Sequence, residues 1–271
     1  MIKIKSSIYR ELQKRRNSKI FRFWTRACRA YLRAVENESV TDFDSNGERI
    51  LIKRYADFVK KPLLVFDVGA NVGEWAQDVL DESPDSQIFA FELVAPVWQI
   101  LNDRFNGNTR VECINIGLSD LSRDMKITYF PKSNTGSSLE PLPWKTESEL
   151  LPARVIQGDE FCEDRNIDRI DLLKIDTEGH DLLVLKGFRK KLERGKINMI
   201  QFEYGYTCIP SRCFLKDFYE LLNGYDYKIG KLYADGVVFK DYDIFSDESF
   251  RMNNFVAVCD ETLVNALSAP L

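Results

Sequence analysis

Phe66-Asp-Val-Gly-Ala-Asn-Val-Gly-Glu74 decides the fold of this 271-residue chain. The apolar run Leu63-Leu-Val-Phe-Asp-Val68 reads as a short, buried parallel strand, and two glycines four residues apart stop it in a tight turn. Glycine allows such a turn and lets a ligand come close to the backbone. A helix is predicted to follow from about Glu74. The stretch also excludes two nucleotide sites. A dinucleotide fingerprint, G-x-G-x-x-G, would need glycine where Asn71 and Glu74 stand, and a Walker loop needs a Gly-Lys-Ser/Thr that is absent.

Working outward, the same alternation continues. Residues 87–92 form a second strand, Pro96 opens the next helix at a position that tolerates its missing N–H, and residues 111–116 form a third strand. An added strand is predicted at 125–130. Residues 131–152, with four prolines, read as one long irregular segment. Strand 170–176, helix 180–193, strand 197–203 and helix 214–223 follow, then strands near 225–230, 236–239 and 254–259. Strands separated by helices imply a mainly parallel sheet covered on both faces, and the closing strands imply an antiparallel edge.

The charge is unevenly distributed. The chain has 38 Lys+Arg, 42 Asp+Glu and one His, and residues 1–33 alone carry +10, so the remainder carries −14. Within that basic arm Phe21, Trp24, Cys28, Tyr31 and Val35 recur at three- and four-residue steps, with Arg22, Arg26, Arg29 and Arg33 on another face. A polar turn at 42–47 then precedes a short helix at 48–60. The domain division expected is an arm and linker at 1–47 and a globule at 48–271. No apolar run reaches the ~18–20 residues of a membrane span, and no secretory h-region follows the first lysines. Six scattered cysteines, Cys113 and Cys259 reading as buried thiols, suit a reducing, cytoplasmic setting, and no metal site is assigned. The arm admits contact with an anionic membrane surface, packing on the globule or self-association. The acidic remainder disfavours a nucleic-acid partner.

An Asp-x-Gly-x-Asn-x-Gly turn with an acid at the end of the next strand suits S-adenosylmethionine (SAM), whose methionine ammonium, ribose diol and lack of phosphate match carboxylates. Asp67 suits the ammonium side, and Glu92 can accept from two ribose hydroxyls. Asp67-Val-Gly-Ala-Asn-Val-Gly73, Phe91-Glu92, Asn115-Ile-Gly-Leu-Ser-Asp120, Asp171-Leu-Leu-Lys-Ile-Asp-Thr-Glu-Gly-His180, Val184-Leu-Lys-Gly187 and Ile200-Gln-Phe-Glu-Tyr204 together resemble, in order and spacing, the successive motifs of FkbM-type SAM-dependent methyltransferases. The resemblance covers about residues 62–260. It implies a Rossmann-like α/β class I methyltransferase fold, with a mainly parallel seven-stranded sheet, an antiparallel edge strand, helices on both faces and, outside it, an N-terminal helical extension. It implies O-methylation of a sugar or natural-product hydroxyl. It further implies that Asp67, Gly69, Ala70, Asn71, Gly73 and Glu92 line the SAM pocket, with Ser119 and Asp120 near the adenine.

Methyl transfer to a hydroxyl needs alignment and a proton acceptor. Lys174, Asp176, Glu178 and His180 lie within seven residues at a strand end, and Glu203 ends the next strand. His180 is the natural base by its ordinary pKa. Glu178 orients it, binds substrate or caps a helix. Asp176 shapes the pocket, Lys174 alternates inward beside it, and Glu203 binds substrate, accepts a proton or pairs with Lys174. Ser137 and Ser138 offer hydroxyls to a glycan or small-molecule acceptor, and Trp144 or Tyr206 a ring to stack on it. A nucleic-acid methyltransferase and a non-catalytic SAM-fold scaffold are the competing readings.

Overall fold

Each strand of the alternation is apolar on both faces and each helix on one, so the helices must cover the sheet from both sides. The computed structural model describes residues 6–38, 42–130 and 149–270. Its elements are α1 (Ser6–Lys14), α2 (Lys19–Val35), α3 (Glu48–Val59), β1 (Leu64–Val68), α4 (Glu74–Glu82), β2 (Gln87–Phe91), α5 (Ala95–Arg104), β3 (Val111–Ile114), β4 (Gly117–Ser119), β5 (Arg123–Tyr129) and β6 (Glu149–Gln157). They continue with α6 (Gly158–Asp164), β7 (Ile170–Ile175), α7 (Asp181–Lys186), α8 (Arg189–Glu193), β8 (Ile197–Tyr204), a 3-10 turn (Tyr206–Cys208), α9 (Leu215–Asn223), β9 (Lys228–Tyr233), β10 (Gly236–Phe239), β11 (Asn253–Val258) and α10 (Glu261–Leu267).

The chain divides into two units, Met1–Ser39 and Val40–Leu271. The first holds α1 and α2, and no residue of α2 is buried. The second holds the sheet. The polar turn 42–47 falls in this second unit, where Asn46 donates to the buried carboxylate of Glu48 at 2.6 Å.

The main sheet has the order β10-β9-β11-β8-β7-β1-β2-β3. Strands β3, β2, β1, β7 and β8 are parallel. β11 runs antiparallel to both β8 and β9, and β10 is antiparallel to β9. Among the described residues the sheet therefore has eight strands, where the sequence reading expected seven. One antiparallel strand is inserted inside the sheet and a hairpin partner forms its edge. Strand order reverses between β1 and β7, so a crevice opens at the carboxyl ends there.

Two cores flank the sheet. Phe66, Phe89, Phe91, Leu173, Ile200 and Phe202 face α6 to α9, while Val65, Ala90, Leu172, Met199 and Val256 face α3, α4, α5 and α10. Strand periodicity thus assigns even and odd residues of β1 to opposite cores.

Several elements escaped the sequence reading. A second sheet, β4-β6-β5, follows β3, and β6 occupies residues 149–157, part of which read as loop. Its glutamate, proline and arginine mask the alternation, and only Val155 of the strand is buried. The predicted helix 180–193 is two helices. Gly187 lies so close to the Ser119 carbonyl that a Cβ would overlap it, and Phe188 is fully buried between them. Cys259 is exposed, since it follows the last residue of β11. Ser137, Ser138 and Trp144 lie outside the described residues.

Phe66 anchors the larger core, with ring centroids of Phe89 and Phe91 at 5.3 Å and of Phe161 at 5.7 Å. Phe66→Ala is expected to cost about 3–5 kcal/mol, read as a lower urea midpoint with an unchanged m-value.

Candidate active site

The register places the polar residues of the motifs in two rows. Asp67 on β1 is opposite Lys174 on β7, and Lys174 is opposite Gln201 on β8. Side chains two apart share a face, so Asp176 and Glu203 form a second row nearer the crevice. Both rows top the face covered by α3 and α4. Lys174 is buried and donates to Asp176 at 3.1 Å, with its ammonium 5.4 Å from the Trp75 ring centroid. Burial pulls its pKa down, but Asp176, Asp67 and Glu48 together hold it above the usual lysine value. It stays charged.

Asp67 is fully buried, and neither of its carboxylate oxygens has a hydrogen-bond partner among the described residues. Burial pushes its carboxyl up to about 6, opposed by Lys174. A buried acceptor pair left open at a strand end is what a ligand cation would satisfy. The turn after it is tight: Gly69 and Ala70 both donate to the Phe91 carbonyl, at 3.0 and 2.9 Å. Gly69 has a φ of +86°, and a Cβ there would overlap the Asp176 carbonyl. Asn71 also adopts positive φ, and Gly73 leads into α4 against the side chains of Leu101 and Phe105.

Glu92, just past β2, is clamped by two backbone amides, Asn71 at 2.9 Å and Val94 at 2.8 Å. Burial pushes its carboxyl up to about 7, against the pull of those amides. A carboxylate has about four lone-pair positions, so two remain for the ribose diol. The residues present therefore fit SAM. Asp67 would take the ammonium end, Glu92 the ribose, and the 69–73 turn would let the ligand approach the backbone.

His180 is held in a separate group with Ser119 and Asp120. It is buried, and its Nε2 lies 2.9 Å from the Oγ of Ser119, which also donates to Asp120 at 3.0 Å. Burial lowers its pKa to about 4, with Asp120 opposing and Arg123 reinforcing the shift. The imidazole is neutral near pH 7 and is joined to the two residues assigned to the adenine side. The structure thus brings His180, Ser119 and Asp120 together, and separately Lys174, Asp176 and Glu203 with Asp67.

Glu203 is the exceptional carboxylate. It makes no hydrogen bond or ion pair through its side chain among the described residues, and it is half-buried. Burial raises its pKa well above the usual value, reinforced by Asp176, Asp181 and Glu178 and opposed by Lys174. Tyr206 is 45% exposed, and its phenol is raised by burial and by Glu178 and Glu203.

Three residues escaped the sequence reading. Asp181 accepts from Thr177 Oγ1 at 2.6 Å and from the Glu203 amide at 3.2 Å, tying the turn after β7 to β8. Its signal was a Thr and an Asp four residues apart across Gly179. Gln201 donates to Glu48 and Asn254 while its Oε1 is buried without a partner among the described residues. A polar residue two before Glu203 in an apolar strand could have marked it. Glu48, nineteen positions ahead of Asp67, has no local signal and is delivered by α3 running back along the sheet.

A doubly wound sheet with acids ending its first two strands, and a glycine turn without phosphate ligands, defines a class I SAM-type methyltransferase fold. The family profile described as the methyltransferase FkbM domain matches residues 67–229, and the chain belongs to that family. It is 28% identical over 166 residues to the hexuronic acid methyltransferase AglP of Haloferax volcanii, covering 60% of this chain and 65% of that protein. Methyltransferase sdnD of Sordaria araneosa is 28% identical over 165 residues, covering 49% and 62%. The 2-O-methyltransferase NoeI of Sinorhizobium fredii is 21% identical over 168 residues, covering 56% and 68%. A crystal structure of a methyltransferase FkbM from Methylobacillus flagellatus aligns with a TM-score of 0.47 at 16% identity, over 72% of this chain and 43% of that one.

Because the carboxyl of Asp67 rises from 3.8 to about 6 on folding, the stability it contributes is complete below the unfolded value and lost as pH rises through about 6. The cost at alkaline pH is about 3 kcal/mol. Asp67→Asn is therefore expected to raise the melting temperature of the protein without SAM at pH 8, and to weaken SAM binding at least about tenfold, both read by calorimetry.

Proposed function

We propose that this chain is a SAM-dependent O-methyltransferase whose acceptor is a sugar hydroxyl in a glycan or glycolipid. The observation that carries the reading is the pairing of an open, buried carboxylate at Asp67 with a half-buried carboxylate at Glu203, unpaired among the described residues, in the crevice beyond it. When bound, SAM supplies an electrophilic methyl group on a sulfonium. The chain then has to hold an acceptor oxygen in line and take its proton.

Glu203 fits the proton acceptor better than His180. A base must be accessible and reach toward neutral pKa. Burial and three neighbouring acids raise Glu203 in that direction, whereas burial lowers His180 to about 4 and Ser119 occupies its Nε2. In this reading His180, with Ser119 and Asp120, positions the adenine side. Asp176 stays bonded to Lys174 and shapes the pocket, Glu178 contributes to the field that raises Glu203, and Tyr206 offers its exposed ring to the sugar.

The sugar assignment draws on two relatives named for hexuronic acid methylation and 2-O-methylation. Transfer to a small natural-product hydroxyl would use the same residues. An acceptor screen with labelled SAM separates the two classes. A scaffold without activity would bind no SAM at high concentration, or bind it and label no acceptor.

Glu203→Gln is expected to lower kcat about 10²–10⁴-fold while leaving SAM affinity, measured by calorimetry, within twofold or so. Activity of the parent protein should fall as pH falls through the raised Glu203 pKa, and that limb should vanish in Glu203→Gln. His180→Ala should weaken SAM binding instead. Full SAM affinity with lost transfer in His180→Ala would return the base role to the histidine.

A further inference from the structure

The N-terminal unit carries an unused surface. Its helix α2 has 17 residues and none is buried. At about 100° per residue, Lys19, Arg22, Arg26, Arg29 and Arg33 fall within a sector of about 80°. Ile20, Trp24, Cys28, Tyr31 and Val35 run down the middle of the opposite side. Trp24 and Tyr31 are 60% and 67% exposed, and Phe23 and Leu32 flank them in the open. Arg22, Arg26, Arg29 and Arg33 form no ion pair among the described residues. The preceding helix α1 repeats the pattern with exposed Ile8, Tyr9 and Leu12, and pairs Glu11 with Lys14 and Arg15.

We infer that α1 and α2 form a membrane-surface helix pair that lies in the plane of an anionic bilayer. A nucleic acid would engage the arginines and leave the aromatic side in water. A second copy of the helix would cover the aromatic side and leave the arginines as they are. A phosphate-bearing lipid surface takes both at once, with the aromatic side at the acyl boundary and the guanidinium groups level with the phosphates. Tryptophan and tyrosine are suited to that boundary because their rings are apolar and their tips polar. Among the described residues no helix is long and apolar enough to cross a membrane, which agrees with an in-plane placement. The inference stands on charge and exposure in this unit alone and does not depend on the acceptor proposed above.

Flotation of the full chain tests it, using phosphatidylcholine vesicles with about a third phosphatidylglycerol against pure phosphatidylcholine. The protein is expected to float with the anionic vesicles and to be released as salt rises. Reversing three charges, in Arg22→Glu/Arg26→Glu/Arg29→Glu, should weaken partitioning about a hundredfold or more. Trp24→Ser/Tyr31→Ser should also release it, with melting temperature unchanged in both variants because these side chains are exposed. Equal flotation with both vesicle types and no salt dependence would overturn the inference. So would an absence of flotation accompanied by a dimer, seen by light scattering, that Trp24→Ser/Tyr31→Ser dissolves.

Discussion

One buried ammonium organises the carboxyl end of this sheet. Lys174 lies between Asp67 on one neighbouring strand and Gln201 on the other, and it is bonded to Asp176. An isolated charge in such a place would be expelled or neutralised. Here the acids around it outnumber it, so it is held charged, and the surplus negative charge remains for a cationic ligand. The lysine therefore sets the polarity of the crevice: it keeps Asp67 ionisable in the interior and draws Asp176 away from the open position that Glu203 occupies.

The turn from β7 into α7 carries the second constraint. Glu178 and Gly179 both adopt positive φ, and a Cβ at Gly179 would overlap the Thr207 carbonyl. Ser211 donates to the Gly179 carbonyl at 2.8 Å. The turn is thus clamped from the segment after β8, while Asp181 reaches back to the Glu203 amide. Two acid-bearing strand ends are locked together by bonds from side chains to backbone. The poise of Glu203 is a property of that lock as much as of its own burial.

Much of this was legible in the chain. Apolar runs of strand length, the glycine turn and the acids at strand ends located β1, β2, β7, β8 and the crevice, because each is a local pattern of contiguous residues. What escaped were features set by partners distant in sequence. β6 is buried only at Val155 and pairs only within a small sheet, so its residues need no apolar alternation. The insertion of β11 between β8 and β9 depends on which strands meet, not on any one of them. His180 read as a base because the ordinary pKa of a histidine lies near neutrality. In space its hydrogen-bond partner is Ser119, sixty-one residues away.

Helix α3 gives the outline of the molecule an unexpected edge. Its first residue, Glu48, receives hydrogen bonds from Asn46 and Gln201 and acts on both Asp67 and Lys174. A fragment cut at the start of the family match would keep the glycine turn and the later motifs, and would lose most of β1 together with this carboxylate. Gln201 would keep one partner, and a buried positive charge would lose part of its counterweight. The charge balance at the carboxyl end of the sheet therefore draws on a residue upstream of the family match.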